Sequence, residues 1–517
     1  MKELQRIKRE NYSLLESKSI YFAGFSAANI AHFVECFPQY VKNISGIFAI
    51  LDIDERTPLS VYIGGKTYKI MSLSDVRSLD TEKDVLIIMY EYEREAYKKI
   101  LSIFGDDSRP IYWFPDGATE VELDYREKFK DCAVENVILF KSGSRQYVYG
   151  EDFGDNSRAL FEYMIKNGYN DRWKLVWLVH DPSNKEYDDW KLNKNVEFVG
   201  AKDCESCDVE KRELYYKYLC VAKYAFVTDD EIFFQRRRGD QTLVQLWHGD
   251  GVKARTRHRI MENRWDYMVC TSQFYADVDY KDYGLGKDQM LSSGYPKDDW
   301  VISSNIELSK LLVDRKSFTH YILWGPTFRK SVEGLEILNE KVRINKTGLP
   351  LLTTWEDCDS INEILKEHDC LMLIKLHPVA DLSLYSKRFF SNIVLMTNQD
   401  LYSHGLHINQ IMSCFDAFIT DYSSATASYM LLDRPMAFTL DDLDEYDDSR
   451  GFVLNPVRDY LPGEELYNTR DMVDFIKDVC SGKDAAAEKR RKLISEMIDY
   501  RDGRNSERLL SMLSIEK

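Results

Sequence analysis

Short apolar runs alternate along this chain with longer stretches of helical apolar spacing, the signature of strands and helices in turn. Ser19 to Ala23 predicts a strand, followed by Gly24-Phe25-Ser26-Ala27-Ala28-Asn29 and a helix to about Phe37. Ile47 to Asp52 and Asp84 to Met89 predict two more strands, and residues 1–16 a charged lead-in helix. A polar, turn-rich stretch over 105–135 marks a boundary. From Val137 the pattern restarts, with strands at Val137–Lys141, Lys174–Val179, Val196–Gly200, Tyr224–Thr228 and Leu243–Trp247. Helices are expected at Asp155–Asn167, opened by Asp155-Asn156-Ser157, and at Leu214–Ala222. A last block carries strands at Tyr321–Trp324, Leu371–Leu376 and Phe415–Thr420, and Ala485–Leu513 reads as a charged amphipathic helical tail.

Apolar strands alternating with helices predict parallel sheets covered on both faces. The fold class is therefore α/β: a GT-B-like pair of Rossmann-type domains preceded by an additional N-terminal Rossmann-like domain. The expected boundaries are 1–135, 136–318 and 319–517, the last with the C-terminal helices. In the first domain only Gly24 of a dinucleotide fingerprint is present, and Ser26 and Ala27 hinder close backbone approach. That favours a structural or acceptor-side module over a bound dinucleotide.

Composition narrows the function. A net charge of −17 argues against nucleic acid as a partner. It leaves room for a local basic site, and Arg236, Arg237, Arg238, Lys253, Arg255, Arg257, Arg259 and Arg264 form such a stretch, read either as a solvated loop or as a rim for an anionic ligand. The ten cysteines have no framework spacing, and the Cys204/Cys207 pair lacks partners for a tetrahedral metal. This suggests a reducing cytoplasm. The start Met1-Lys2-Glu3-Leu4-Gln5 shows no signal-peptide core, and no apolar run approaches a membrane span.

The chemistry concentrates at predicted strand ends, where open α/β sheets bind ligands. Four segments stand there: Leu246-Trp247-His248-Gly249-Asp250-Gly251-Val252-Lys253, Gly325-Pro326-Thr327-Phe328-Arg329, Lys375-Leu376-His377-Pro378 and Thr420-Asp421-Tyr422-Ser423-Ser424. Two histidines, an arginine and a serine pair suit a diphosphate, with one histidine free to move a proton. Arg329 is able to fork two phosphate oxygens. Ser423 and Ser424 either offer hydroxyls and backbone N–H groups to a phosphate or cap the helix Ala425–Leu432. Asp421 either holds His377, binds the donor, or sits structurally beneath the loop. Asp229-Asp230 and the acidic run 441–448 are weak Mg²⁺ candidates, the run being read foremost as a solvated loop; no fixed cofactor is expected.

The ordered set resembles the CDP-glycerol glycerophosphotransferase family over residues 136–515: Trp247-His248-Gly249 with Lys253, Pro326-Thr327-Phe328-Arg329, His377-Pro378, and Ile419 to Ser424 with Arg434-Pro435. Gly294-Tyr295-Pro296 and Asp442 to Tyr446 with Arg450-Gly451 also look familial. The resemblance implies transfer of glycerol phosphate, or a related polyol phosphate, from a CDP-alcohol to a glycan or lipid-linked polymer acceptor, with release of CMP. It implies that 136–318 is the acceptor-side half and 319–517 the donor-binding half. It implies His248 as base, His377 as hydrogen-bond donor or acid, and Gly249, Lys253, Thr327, Arg329, Asp421, Ser423 and Ser424 as substrate-binding residues. It leaves room for peripheral contact with the inner membrane and for a Mg²⁺ dependence. Two departures bear on acceptor choice and on the polyol: Asp250-Gly251 replaces a usual Thr-Pro, and Pro296-Lys297-Asp298 replaces Pro-Arg-Asn. The alternative is a GT-B glycosyltransferase using a nucleotide sugar. Oligomeric state is not legible.

Overall fold

The computed structural model describes residues 4–7, 12–50, 60–80, 82–90, 93–104, 111–142, 152–228, 237–254, 265–281, 283–312, 316–326, 346–376, 390–449 and 451–517. The chain forms two compact units, one of residues 1–132 with 202–220, the other of 133–201 with 221–517.

Among the described residues, the first unit is built on seven strands: β1 Gln5–Arg6, β2 Ser19–Ala23, β3 Ile44–Phe48, β4 Ser60–Ile63, β5 Lys66–Met71, β6 Asp84–Ile88 and β7 Ile111–Trp113. Their order is β1-β7-β6-β2-β3-β5-β4, parallel throughout except the β4/β5 hairpin. Strand β2 shows why both faces are covered. Ile20 and Phe22 join Phe33, Phe37 and Phe114 on one side, while Ala23 packs with Ile88, Ala96 and Ile100 on the other. Gly24 has φ +88°, and a Cβ there would lie 2.8 Å from the Met89 carbonyl oxygen. Its freedom is thus consumed by packing against its own sheet. The predicted lead-in helix is corrected. Gln5–Arg6 pairs with β7 and Ile7 is buried, donating its N–H to the Trp113 carbonyl, so among the described residues of this stretch the helix is Tyr12–Ser17.

Among its described residues the second unit holds two wholly parallel sheets. The first comprises β8 Glu135–Lys141, β9 Lys174–Val179, β10 Val196–Gly200, β11 Ala222–Val227, β12 Thr242–Gln245, β13 Tyr267–Val269 and β14 Met290–Leu291, in the order β10-β9-β8-β11-β12-β13-β14. The other comprises β15 His320–Gly325, β16 Cys370–Lys375, β17 Ile393–Met396, β18 Ala417–Thr420, β19 Met436–Thr439 and β20 Glu464–Leu466, in the order β17-β16-β15-β18-β19-β20. In each, order reverses beside the first strand, which opens a crevice at the carboxyl ends. The two sheets bear out the doubly wound halves expected from the sequence. The charged tail is two helices, Ala487–Met497 and Asn505–Met512, since Ile498 turns extended and Gly503 adopts φ +66°.

Candidate active site

The turn after β12 is built by unusual backbone. Trp247 takes φ +52° and Gly249 φ +129°. The strained tryptophan is held from three sides. Its N–H donates to the Gln245 side chain at 2.8 Å, its carbonyl accepts from Asn156 Nδ2 at 2.8 Å, and its ring lies 5.4 Å from that of Tyr283. His248 is thereby turned outward and exposed while its neighbours stay buried. Its carbonyl accepts from Lys297 Nζ at 2.8 Å, and that ammonium also pairs with Asp155 Oδ1 at 2.8 Å.

Gly249 is needed for contact as well as for φ. A Cβ there would fall 3.0 Å from Ser424 Cβ, and one at Gly251 would fall 3.3 Å from Ser424 Cα. The loop from β12 thus lies directly on the turn after β18. The contact continues as an antiparallel bridge between Lys253 and Phe452. The Val453 N–H donates to the Val252 carbonyl, and the Ala254 N–H to the Gly451 carbonyl, each at 2.9 Å. Lys253 Nζ sits 5.7 Å from the Tyr446 ring centre, and Tyr446 packs at a tilt against Tyr422 and stacks with Phe452. Lys253 is thereby seated on this aromatic cluster, beside the loop junction. Asp442 accepts from Tyr422 at 3.2 Å, so the familial acidic run supports this cluster.

His248, Ser423 and Ser424 meet in one cavity of about 270 Å³. The structure adds groups to which the sequence assigned no role in the site: Asp155, Lys297, Lys375 and His407 line the same space. His407 is buried, and its Nδ1 accepts from the Asn409 N–H at 3.3 Å, so its neutral ring carries the proton on Nε2. Burial, then Lys297, Lys375 and Arg158, push its pKa well down and keep it neutral. Asp298 is buried beneath, accepting from Ser428 Oγ at 2.6 Å and Asn409 Nδ2 at 3.0 Å. Burial raises its pKa to about 6 despite these bonds and Lys297.

Of the other predicted residues, Asp421 is fully buried at the end of β18. Ser423 Oγ accepts from the Ala425 N–H at 3.3 Å, and Ser424 precedes the helix Ala425–Met430 without a side-chain cap bond. Thr327, Arg329 and His377 lie outside the described residues, as do Asp229, Asp230, Arg236, Arg255, Arg257, Arg259, Arg264 and Arg450. Of the basic stretch, Arg237 forks Asp266 at 2.6 and 2.8 Å, and Arg238 pairs with Asp240 at 3.2 Å. Asp250, at the departure from the familial Thr-Pro, is structural: it accepts from Tyr295 Oη and the Thr271 N–H, each at 2.7 Å.

Among known proteins, the family described as CDP-Glycerol:Poly(glycerophosphate) glycerophosphotransferase matches residues 125–514. A teichoic acid poly(glycerol phosphate) polymerase of Staphylococcus epidermidis is 22% identical over 338 residues, 61% of this chain and 42% of that protein. A teichoic acid glycerol-phosphate transferase of Staphylococcus aureus is 23% identical over 405 residues, 72% of this chain and 92% of that one. This chain therefore spans under half of the first relative and nearly all of the second. The solved wall teichoic acid polymerase TagF superposes with a TM-score of 0.57 at 20% identity, covering 77% of this chain and 93% of that one, which bears out the fold class.

Proposed function

The chain belongs to the CDP-glycerol:poly(glycerophosphate) glycerophosphotransferase family, and on that footing we propose that it transfers glycerol phosphate, or a related polyol phosphate, from a CDP-alcohol to a hydroxyl of a cell-envelope glycan or teichoic-acid-type polymer. The observation that carries this is the cavity uniting an outward-turned His248 with the Ser423/Ser424 turn and the lysines 297 and 375. A TagF variant has been soaked with CDPG, and relatives are named for both glycerol phosphate and ribitol phosphate, which supports a CDP-alcohol donor of either kind.

The acceptor oxygen attacks the phosphorus that bears the polyol. A new P–O bond forms as the bond to the CMP oxygen breaks. His248 takes the hydroxyl proton. Charge gathers on the departing CMP phosphate, where fixed donors lower the barrier. Lys375, the Nε2–H of His407 and the Ser423 and Ser424 hydroxyls supply such donors, with Thr327, Arg329 and His377 in the same role. Lys253 and Gly249 shape the acceptor side, and Asp421 supports the donor turn. The acceptor is a glycan or lipid-linked polymer, reached at the cytoplasmic face of the membrane. No helix among the described residues is long and apolar enough to cross a membrane.

The test is nucleotide release from CDP-glycerol, CDP-ribitol and a panel of UDP-sugars with an acceptor fragment. CMP release is expected. UDP release with inert CDP-alcohols would overturn the proposal. His248→Ala should lower turnover by roughly 10²-fold or more with donor affinity kept, and near-normal turnover would remove the base assignment.

A further inference from the structure

The first unit carries a cluster that the proposed transfer reaction does not use. His32 and Cys36 stand one turn apart on the helix Ala27–Cys36, so both side chains project from one face. Glu120, in the first turn of the helix Gly117–Lys128, faces them. One donor atom from each lies within 4.8 Å of the others, and this is the one such group of three among the described residues. His32 Nε2 is 2.8 Å from Glu120 Oε2, and Cys36 Sγ is 3.7 Å from the same nitrogen.

We propose that His32, Cys36 and Glu120 form a binding site for a zinc-class divalent cation. The donor set of one imidazole nitrogen, one thiolate and one carboxylate oxygen suits zinc. Tetrahedral bonds of about 2.0–2.3 Å require donor separations of roughly 3.3–3.6 Å. The sulfur–nitrogen separation of 3.7 Å exceeds this by only about 0.1 Å, and the histidine–carboxylate pair has to open by about half an ångström. The cation then takes the place of the proton between them, the neutral imidazole carrying its one ring proton on Nδ1, on the side of Glu35, and the Cys36 thiol loses its proton to water, so affinity falls as pH falls. Water completes the fourth position.

The surroundings orient these ligands. Arg6 Nη2 holds Glu120 Oε1 at 2.8 Å, which leaves Oε2 turned to His32. The Phe114 ring stacks on the imidazole at 5.4 Å, and Glu35 Oε2 stands 4.0 Å from His32 Nδ1. Such outer partners fix ring orientation and ligand basicity. Bound metal would tie the two helices together across one face of the first sheet, a structural staple rather than a catalytic centre.

The experiment is a Co²⁺ titration of the full, EDTA-treated protein, read by thiolate-to-cobalt charge transfer. One equivalent with a thiolate band is expected. Cys36→Ser should abolish the band, and His32→Gln and Glu120→Gln should each weaken binding more than about tenfold. The double variant Cys204→Ser/Cys207→Ser should keep the band, and circular dichroism confirms that each variant is folded. No stoichiometric uptake by the parent protein, or a band that survives Cys36→Ser, would overturn the proposal. None of these readouts depends on transferase activity.

Discussion

Asp298 is an ionisable group placed where an uncharged one would serve. Its carboxyl is buried, with Ser428 and Asn409 both donating to one oxygen. Asparagine keeps that acceptor oxygen and removes the charge, so Asp298→Asn isolates the cost of ionisation. Burial raises the pKa from the usual 3.8 to about 6. At 1.36 kcal/mol per pH unit, ionised Asp298 weakens the fold by about 3 kcal/mol. The sign follows from the raised value. Below 3.8 the group is protonated folded and unfolded, and the fold bears no cost; stability is then lost as pH rises toward and through about 6. Asp298→Asn should therefore stabilise the second unit by about 3 kcal/mol at pH 8, and this gain should shrink by about 2 kcal/mol at pH 4.5. Denaturant unfolding of both proteins at the two pH values, followed by near-UV signal, measures it. An equal difference at both pH values, or a loss of stability at pH 8, would refute the desolvation argument.

Lys297→Met removes the ammonium that holds both the His248 carbonyl and Asp155. Leaving that carboxylate unpaired should cost about 3 kcal/mol and lower kcat more than it raises KM, with Lys297→Arg restoring part of the rate. Gly249→Ala meets both a φ of +129° and the Ser424 side chain, so activity should fall at least about tenfold while the fold survives, as steady-state kinetics beside a melting curve would show. Arg490 is fully buried between Asp433 and Asp484, and Arg490→Met should destabilise by about 3 kcal/mol in urea, leaving two facing carboxylates.

The long parallel strands were legible because burial on both faces leaves an uninterrupted apolar run, as in Lys174–Val179. Met290–Leu291, two residues long, is too short to display a period. The residues that meet in the candidate cavity were legible where a motif marked a strand end, as at His248 and Ser423. They were not where distant segments converge. His407 sits between Leu406 and Ile408 and reads as a core residue. Asp155 reads as a helix-start signal, yet its φ of +52° turns it toward Lys297. The one clue to Lys297 was that it departs from a familial arginine. In the tail, apolar spacing runs through the break, and the turn at Gly503 is set by backbone geometry that spacing does not encode.

The helix Asn505–Met512 belongs in space to the first half of the second unit. Asp299 accepts from the N–H groups of Asn505 and Ser506 at 2.7 and 2.9 Å, Tyr224 donates to the Leu513 carbonyl, and Trp173 donates to the Glu516 carbonyl. A nascent chain makes β8 to β14 long before it makes this helix. During synthesis that half must wait with Asp299, Trp173 and Tyr224 uncovered while the other half is translated. These contacts close a long loop and form only once the other half has been made, so the first half acquires its last hydrogen-bond partners at the end of synthesis.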